Sequence, residues 1–104
     1  SDNMVKLRGI NVYPTAIAGL LDTWPKATGE YLCRVQRNGA IDEMTVQVEW
    51  AGEAGEAETA DVANTLREAL GVRIHVELCA PGSTAMLTEI ETRQKPRRLR
   101  DERT

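Results

Sequence analysis

Two charged segments, one near each end of the chain, carry the residue types that can do chemistry. The C-terminal segment TRQKPRRLRDERT holds six basic residues between positions 93 and 103, against Asp101 and Glu102. The N-terminal segment DNMVKLRG holds two cations, Lys6 and Arg8, within three residues of Gly9. Lysine and arginine bind phosphate oxygens, and a lysine can also stabilise charge that develops on a phosphoryl group. The question is therefore whether Lys95 has a chemical role or only belongs to a solvated basic tail.

The remaining polar residues show no other catalytic pattern. His75 is the only histidine, and its position on the outer face of a predicted strand, with no nucleophile or carboxylate partner in the pattern, favours a structural or exposed imidazole. RGINVYP lacks the glycines of a phosphate-binding loop. Cys33 and Cys79 have no second Cys or His at metal-ligand spacing, so we interpret them as buried thiols in a reducing compartment.

Length and charge point to a small acidic domain. The chain has 104 residues and a net charge of −3. This length supports one modest core rather than two, and the acidic balance argues against a general nucleic-acid coat or a membrane-surface protein. No stretch has the length of apolar residues that a membrane span needs, and the start lacks a secretory signal pattern. We expect one cytoplasmic domain over residues 1–104.

The hydrophobic pattern predicts the elements that must position the charged segments. They are, in chain order, a strand or strand pair over 5–12, a short helix after Pro14, strands over 30–37 and 44–50 joined by an Asn38-Gly39 turn, a helix with Thr59 as N-cap and Gly71 as its stop, and a strand over 72–79. This order predicts an α+β fold, with a small antiparallel sheet and two helices on one face in a ferredoxin-like βαββαβ arrangement. Regularity fades after Gly82, which predicts a flexible basic C-terminal tail.

The two charged segments and the motifs between them follow the order of a known family. SDNMVKLRGINVYPTAI resembles the opening of the small C-terminal domain of adenylate-forming acyl-CoA synthetases, and RGINVYP resembles the phenylacetate-CoA ligase branch in particular. NGAIDEMTVQVE, LREALGVRIHVEL and APGS continue in the same order, so the resemblance spans nearly the whole chain. It implies the mobile C-terminal lid of an AMP-forming CoA ligase, cut from a longer enzyme at its hinge.

The resemblance implies a catalytic role for one lysine. Family members carry a Thr-Glu-Gly-Lys segment before their last motif, and the RLRDER end of this chain places residues 92–95 on those four positions. Lys95 then corresponds to the lysine that enters the active site during adenylation. Its ammonium would bridge the substrate carboxylate and the α-phosphate of ATP, which stabilises the transition state more than the ground state. Residues 83–104 are expected to form the catalytic-lysine loop and tail.

The resemblance also implies roles for the N-terminal segment, residues 1–9. Asp2 corresponds to the hinge about which the domain swivels between the two reaction steps. Lys6, Arg8 and Gly9 correspond to the loop that faces the site during thioester formation. Gly9 would let the pantetheine arm of CoA pass close to the backbone, and Lys6 or Arg8 would neutralise phosphates of CoA or position the loop.

The implied reaction needs partners outside this chain. ATP, CoA and an aryl carboxylic acid such as phenylacetate are the expected substrates, and an N-terminal adenylation domain is the expected partner and the place where Mg²⁺ is bound. No nucleic acid or membrane is expected to take part. The fragment alone is expected to be inactive, and the identity of the acid is expected to depend on the N-terminal domain.

Departures from the family pattern leave alternatives open. Arg93 and Gln94 stand where the family has an acid and a glycine, which leaves room for a shifted register with Arg97 or Arg98 near the site. A second class of function is a stand-alone ferredoxin-like module that binds a metabolite or dimerises through a sheet edge. RNA binding by the basic tail is disfavoured, since the chain has no Phe and lacks aromatic stacking platforms on its sheet.

Overall fold

The computed structural model describes residues 4–103. The strands are β1 Val5–Leu7, β2 Ile10–Val12, β3 Ala27–Asn38, β4 Ile41–Trp50, β5 His75–Cys79 and β6 Leu99–Asp101. The helices are α1 Ile17–Leu21, preceded by a 3-10 turn at Pro14–Ala16, α2 Glu56–Leu70 and α3 Ala85–Thr88. The predicted α+β class is therefore confirmed, as are the short helix after Pro14 and the strand pair at the start.

The β3–β4 hairpin forms the centre of the fold. Its two strands pair antiparallel, with Tyr31 opposite Val48 and Val35 opposite Met44. Apolar residues alternate along both strands, so one face of the hairpin is apolar and becomes buried. The helix residues Ile17 and Leu66 belong to the same buried cluster. Helices α1 and α2 thus pack on one face of the sheet, as the sequence predicts.

The outer strands make the four-stranded sheet mixed rather than purely antiparallel. The four-stranded sheet has the order β5-β4-β3-β6. Its central pair is antiparallel, but β5 is parallel to β4 and β6 is parallel to β3. The purely antiparallel pairs are the β1–β2 and β3–β4 hairpins. The α2 crossover from β4 to β5 explains one parallel pair, because a helical connection returns the chain to the same end of the sheet.

The predicted flexible tail contains a strand. Residues Leu99–Asp101 form β6 beside β3, with Cys33 opposite Leu99. The Cys33 N–H donates to the Arg98 carbonyl at 2.8 Å, and the Glu102 N–H donates to the Val35 carbonyl at 2.8 Å. The predicted tail is therefore wrong for this part of the chain, because the edge of β3 offers backbone partners that stabilise an extended segment even where that segment is highly charged.

The β1–β2 hairpin turns through Arg8 and Gly9. Leu7 pairs with Ile10, so these two residues form the whole turn. Both have positive φ, 50° and 82°, which is the backbone that a primed two-residue hairpin requires. The buried face of this hairpin includes Val5 and Val12, which belong to the same core as the central sheet.

Several predicted boundaries are shifted: β4 begins at Ile41 rather than at position 44, and β5 begins at His75 rather than at position 72. The β3–β4 turn consists of Gly39 and Ala40 rather than Asn38-Gly39, because Asn38 still pairs with Ile41 and only Gly39 of the turn has positive φ. Strand β3 begins at Ala27, earlier than the predicted position 30, with an irregularity in pairing after its first residue.

Helix α2 begins before the predicted N-cap Thr59. Its N-cap is Gly55, whose N–H donates to the Glu58 carboxylate at 3.0 Å. The Thr59 hydroxyl donates instead to the Gly55 carbonyl at 3.0 Å. Acidic side chains in the first turn favour this earlier start. They accept hydrogen bonds from free N–H groups, and their negative charge interacts favourably with the positive N-terminal end of the helix dipole. The predicted stop at Gly71 is confirmed, with a left-handed φ of 79°.

Candidate functional site

Lys95 lies on a bend between α3 and β6. Its side chain is exposed, and its ammonium has no hydrogen-bond or ion-pair partner among residues 4–103. It lines an open groove of about 550 Å³. The walls of this groove come from the 3-10 turn and α1, from β3, and from the bend with the first residue of β6. They are Pro14, Thr15, Ala18, Tyr31, Arg93, Lys95, Pro96, Arg97, Arg98 and Leu99. The Lys95 side chain is therefore accessible from solvent.

Every arginine of the same segment has a partner. Arg93 donates to the Lys95 carbonyl at 3.0 Å. The others form ion pairs with acids: Arg97 with Glu89, Arg98 with Glu30, Arg100 with Glu102, and Arg103 with both Asp101 and Asp42. Within residues 93–103, Lys95 is thus the basic residue whose side chain is left unpaired. An unpaired cation keeps its charge available for a ligand.

The end of the segment is bound to the polar face of the sheet. Arg34 of β3 forms a bidentate contact with Glu102, with Nη2 at 2.6 Å from Oε2 and Nε at 3.2 Å from Oε1. This contact holds the pKa of the Glu102 carboxyl below its usual range. Planar guanidinium–carboxylate pairs of this kind fix orientation as well as charge. The strand that follows Lys95 is therefore held by side chains as well as by its backbone.

The turn that lies ahead of α3 and of this segment is held by a buried carboxylate. Glu49 of β4 is 3% exposed, and it accepts hydrogen bonds from the Gly82 N–H at 2.6 Å, the Thr84 N–H at 3.0 Å and the Thr84 hydroxyl at 2.6 Å. Burial opposes the charge of Glu49, but these hydrogen bonds outweigh burial and lower the pKa of the carboxyl. The turn ahead of α3 is thus fixed to the same sheet as β6.

Tyr31 forms the floor of the groove. Its hydroxyl donates to the Pro14 carbonyl at 2.8 Å, and the Arg98 guanidinium lies over its ring at 4.6 Å from the centroid. Burial raises the pKa of Tyr31 to about 12, so the phenol stays protonated and keeps its role as a donor. One side chain therefore connects the entry to α1 with the segment that carries Lys95.

The predicted CoA loop lies apart from this groove. Lys6, Arg8 and Gly9 are exposed, and none of them lines it. The pKa of the Glu43 carboxyl is lowered mainly by its hydrogen bond with His75, whose Nε2 lies 2.6 Å away. The positive charge of Arg8 makes a smaller contribution in the same direction. The structure therefore places the two predicted functional segments at separate positions. The predicted hinge, Asp2, lies outside the described residues.

Several contacts at the site were missed by sequence reasoning. The carboxylate partner of His75 is Glu43, which lies on another strand. The Arg98–Tyr31 contact and the Glu49–Thr84 contact join residues that are far apart in sequence. No local pattern signals such pairs, because they depend on which strands become neighbours.

Other chemistry finds little support in the described part of the chain. Within residues 4–103, no group of three or more His, Cys, Asp or Glu side chains is arranged to hold a metal ion. Both cysteines are free, and burial raises the pKa of Cys33 to about 12. None of the helices in this part of the chain has the length and apolar character required to span a bilayer.

Comparison with known proteins gives a consistent assignment. Residues 9–103 match the family described as the AMP-binding enzyme C-terminal domain. The phenylacetate-coenzyme A ligase of Aromatoleum evansii is 32% identical over 96 residues, which cover 85% of this chain and 22% of the relative. The chain thus spans about a fifth of the length of that relative.

Two solved structures share the fold. A domain of phenylacetate-coenzyme A ligase from Bacteroides vulgatus superposes with a TM-score of 0.78 at 25% identity, covering 99% of this chain and 95% of that one. A 2-hydroxyisobutyryl-CoA ligase, in complex with 2-HIB-AMP and CoA in the thioesterification state, gives a TM-score of 0.81 at 33% identity, covering 98% of this chain and 22% of the ligase.

Proposed function

Because this chain belongs to the family of AMP-binding enzyme C-terminal domains, we propose that it is the C-terminal domain of an AMP-forming acid-CoA ligase. The enzyme uses ATP to convert a carboxylic acid to an acyl-adenylate and then transfers the acyl group to the thiol of CoA. We propose an aryl acid of the phenylacetate type as the substrate, on the basis of the phenylacetate-coenzyme A ligases that the chain resembles. The partner is an N-terminal adenylation domain, which provides the nucleotide and acid pockets.

One observation carries the proposal for the first half-reaction. Lys95 is exposed on the groove and is unpaired among residues 4–103, whereas the arginines beside it are held by partners. When a carboxylate attacks the α-phosphorus, two anions approach each other and negative charge builds on the phosphoryl oxygens. A free ammonium on a flexible stem stabilises this arrangement. The pairing of Arg97 and Arg98 with acids supports Lys95, rather than either arginine, in this role.

The second half-reaction uses the other charged segment. Gly9 has no side chain to obstruct the pantetheine arm, and Lys6 and Arg8 provide positive charge for the phosphates of CoA. Their position away from the Lys95 groove supports alternate use of two surfaces by one domain. In this proposal the domain rotates about Asp2 between adenylation and thioester formation.

The proposal is tested in the full-length protein by measuring the two half-reactions separately. We expect Lys95→Ala to lower the rate of phenylacetate-dependent ATP–pyrophosphate exchange by about 10²–10³-fold, since loss of one transition-state donor has this effect in other enzymes. Thioester formation from supplied phenylacetyl-adenylate and CoA is expected to stay near the parental rate. Lys26→Ala is the matched control, because Lys26 is exposed and lies outside the groove.

The two half-reactions also separate the possible failures. Equal loss in both would show that Lys95 has a structural role only. An unchanged exchange rate in Lys95→Ala would contradict the assignment of the lysine. Absence of exchange in the parental protein with any of a series of aryl acids would contradict the proposed substrate class.

A further inference from the structure

The residue with the most extensive contacts beside Lys95 is Arg98. Its guanidinium lies over the ring of Tyr31 at 4.6 Å from the centroid, and its Nη1 donates to Glu30 Oε1 at 3.1 Å and to the Tyr31 carbonyl at 2.9 Å. Its side chain is only 14% exposed. An arginine held by stacking, by a carboxylate and by a carbonyl has little freedom to move.

We propose that Arg98 is a positioning residue for Lys95, which it serves by fixing the bend at residues 93–97 against β3. This inference rests on the proposed function of Lys95. Arg98 itself does not contact the substrate, because its charge is paired with Glu30 and most of its side chain is buried. Its effect on the reaction is therefore indirect, through the place at which the lysine is presented.

The backbone around Arg98 transmits this constraint. The Arg98 carbonyl accepts a hydrogen bond from the Cys33 N–H, and the preceding Arg97 N–H donates to the Thr88 carbonyl at 2.8 Å. Pro96 has a fixed φ and restricts the conformation of Lys95 before it. Only Pro96 and Arg97 separate the fixed residue from the lysine. A change in the Arg98 side chain is thus expected to shift the origin of the Lys95 side chain.

Such a shift matters because the reaction depends on geometry. A displacement of about 1 Å in a reacting or stabilising group can cost about 100-fold in rate. A long flexible lysine tolerates some displacement of its backbone, but each departure lowers the fraction of time that the ammonium spends at the phosphoryl oxygens. We therefore expect loss of the Arg98 side chain to reduce turnover in adenylation while leaving the affinity for ATP nearly unchanged.

The experiment compares Arg98→Ala with Arg100→Gln in the full-length protein. Arg100 lies two residues further along, exposed on β6; it does not line the groove, and its partner Glu102 keeps its contact to Arg34. For Arg98→Ala we expect kcat of ATP–pyrophosphate exchange to fall by about 10–100-fold, with a small change in KM for ATP and normal thioester formation from supplied acyl-adenylate. Arg100→Gln is expected to match the parental protein in both steps.

Chemical rescue distinguishes positioning from general damage to the fold. Guanidinium at millimolar concentration can occupy the space left by the missing side chain, stack on Tyr31 and pair with Glu30. We expect it to restore part of the exchange activity of Arg98→Ala and none of that of Lys95→Ala. A variant that is simply misfolded would not respond in this way.

The outcomes have different meanings for the two proposals. If Lys95→Ala loses exchange but Arg98→Ala keeps it, the positioning role is overturned and the proposed function stands. If Arg98→Ala loses both half-reactions equally, or guanidinium restores nothing, the positioning role is also overturned. If Lys95→Ala itself keeps exchange, the proposed function fails, whatever Arg98→Ala does.

Discussion

Glu49 and Thr84 are joined by two hydrogen bonds in the interior of the protein. The Thr84 N–H and hydroxyl both donate to Glu49 Oε2, at 3.0 and 2.6 Å. They connect the C-terminal end of β4 to the turn before α3, ahead of the segment that carries Lys95. A buried carboxylate whose two oxygens both accept short hydrogen bonds from a loop fixes that loop in one position.

The first prediction concerns this carboxylate. In Glu49→Gln, an amide NH₂ replaces one of two oxygens that now accept hydrogen bonds, so at least one donor loses its acceptor. We expect the free energy of unfolding to fall by about 1–3 kcal/mol, measured by urea denaturation. Glu77→Gln is the control, since Glu77 lies on the same face of the sheet but is exposed. Equal stabilities of the two variants would contradict a role for Glu49 in holding the loop.

The second prediction concerns the Tyr31 hydroxyl. Tyr31→Phe removes the hydrogen bond to the Pro14 carbonyl but keeps the ring beneath Arg98. Because that carbonyl also accepts from the Ile17 N–H, it does not become fully unpaired, and we expect a loss of about 0.5–1.5 kcal/mol in the free energy of unfolding. Tyr13→Phe, on an exposed tyrosine, is expected to have no measurable effect. A loss as large for Tyr13→Phe would rule out this account.

The third prediction concerns acid. The pKa values of Glu49, Glu102 and Asp42 are held below their usual range, and that of Asp101 is lowered to about 2 by its hydrogen bonds with Arg103. Groups with a lower pKa in the folded state contribute stability above their unfolded pKa and lose it as pH falls through the folded value. We therefore expect the free energy of unfolding to decrease steadily from about pH 5 to about pH 2.

Thermal unfolding across this range measures the acid effect, and Glu102→Gln provides the comparison. The variant lacks one of the titrating groups, so its stability is expected to depend less steeply on pH than that of the parental protein. A stability that stays constant down to about pH 3 would contradict the assigned pKa directions.

The fourth prediction concerns the β1–β2 turn. In Gly9→Ala the new Cβ meets no atom within 4 Å, so the effect comes from the φ of 82° rather than from a clash. We expect a loss of about 1–2 kcal/mol in the free energy of unfolding. In the full-length protein, we also expect thioester formation to slow by about tenfold or more while ATP–pyrophosphate exchange is retained.

Gly29→Ala is the matched control for this turn. Gly29 also has a positive φ, 97°, and open space around its Cβ position. The same backbone strain is therefore introduced at a place with no proposed role in CoA binding. If Gly29→Ala slows thioester formation as much as Gly9→Ala does, the effect of Gly9→Ala reflects strain alone and the CoA-loop assignment loses its support.

Local patterns in the sequence predict the central elements correctly. The alternation of Tyr31, Cys33 and Val35 predicts the buried face of β3, and Gly71 predicts the end of α2, because each signal depends only on near neighbours. Strand β6 could not be predicted in this way. Its stability comes from pairing with β3 and from the Arg34–Glu102 contact, whose residues lie 68 positions apart.

The site shows the same division. The sequence identifies Lys95 as a candidate, but its isolation depends on which acid each neighbouring arginine meets. Arg98 pairs with Glu30 and Arg97 pairs with Glu89, so neither arginine is a free cation. Neither pair follows a local spacing rule. The sequence therefore supplies a group of candidate cations, whereas the choice of one of them as a proposal depends on the three-dimensional pairing.

The pairing of β6 with β3 limits how far Lys95 can move relative to the sheet. The segment that carries the lysine is tied to one sheet at both ends, by Glu49 near its beginning and by the β3–β6 pairing after it. While these two contacts hold, the ammonium can move only as far as rotation about the bonds of the lysine side chain allows. A larger displacement of Lys95, towards a nucleotide or away from it, therefore requires the sheet and the attached loop to move together as one rigid body.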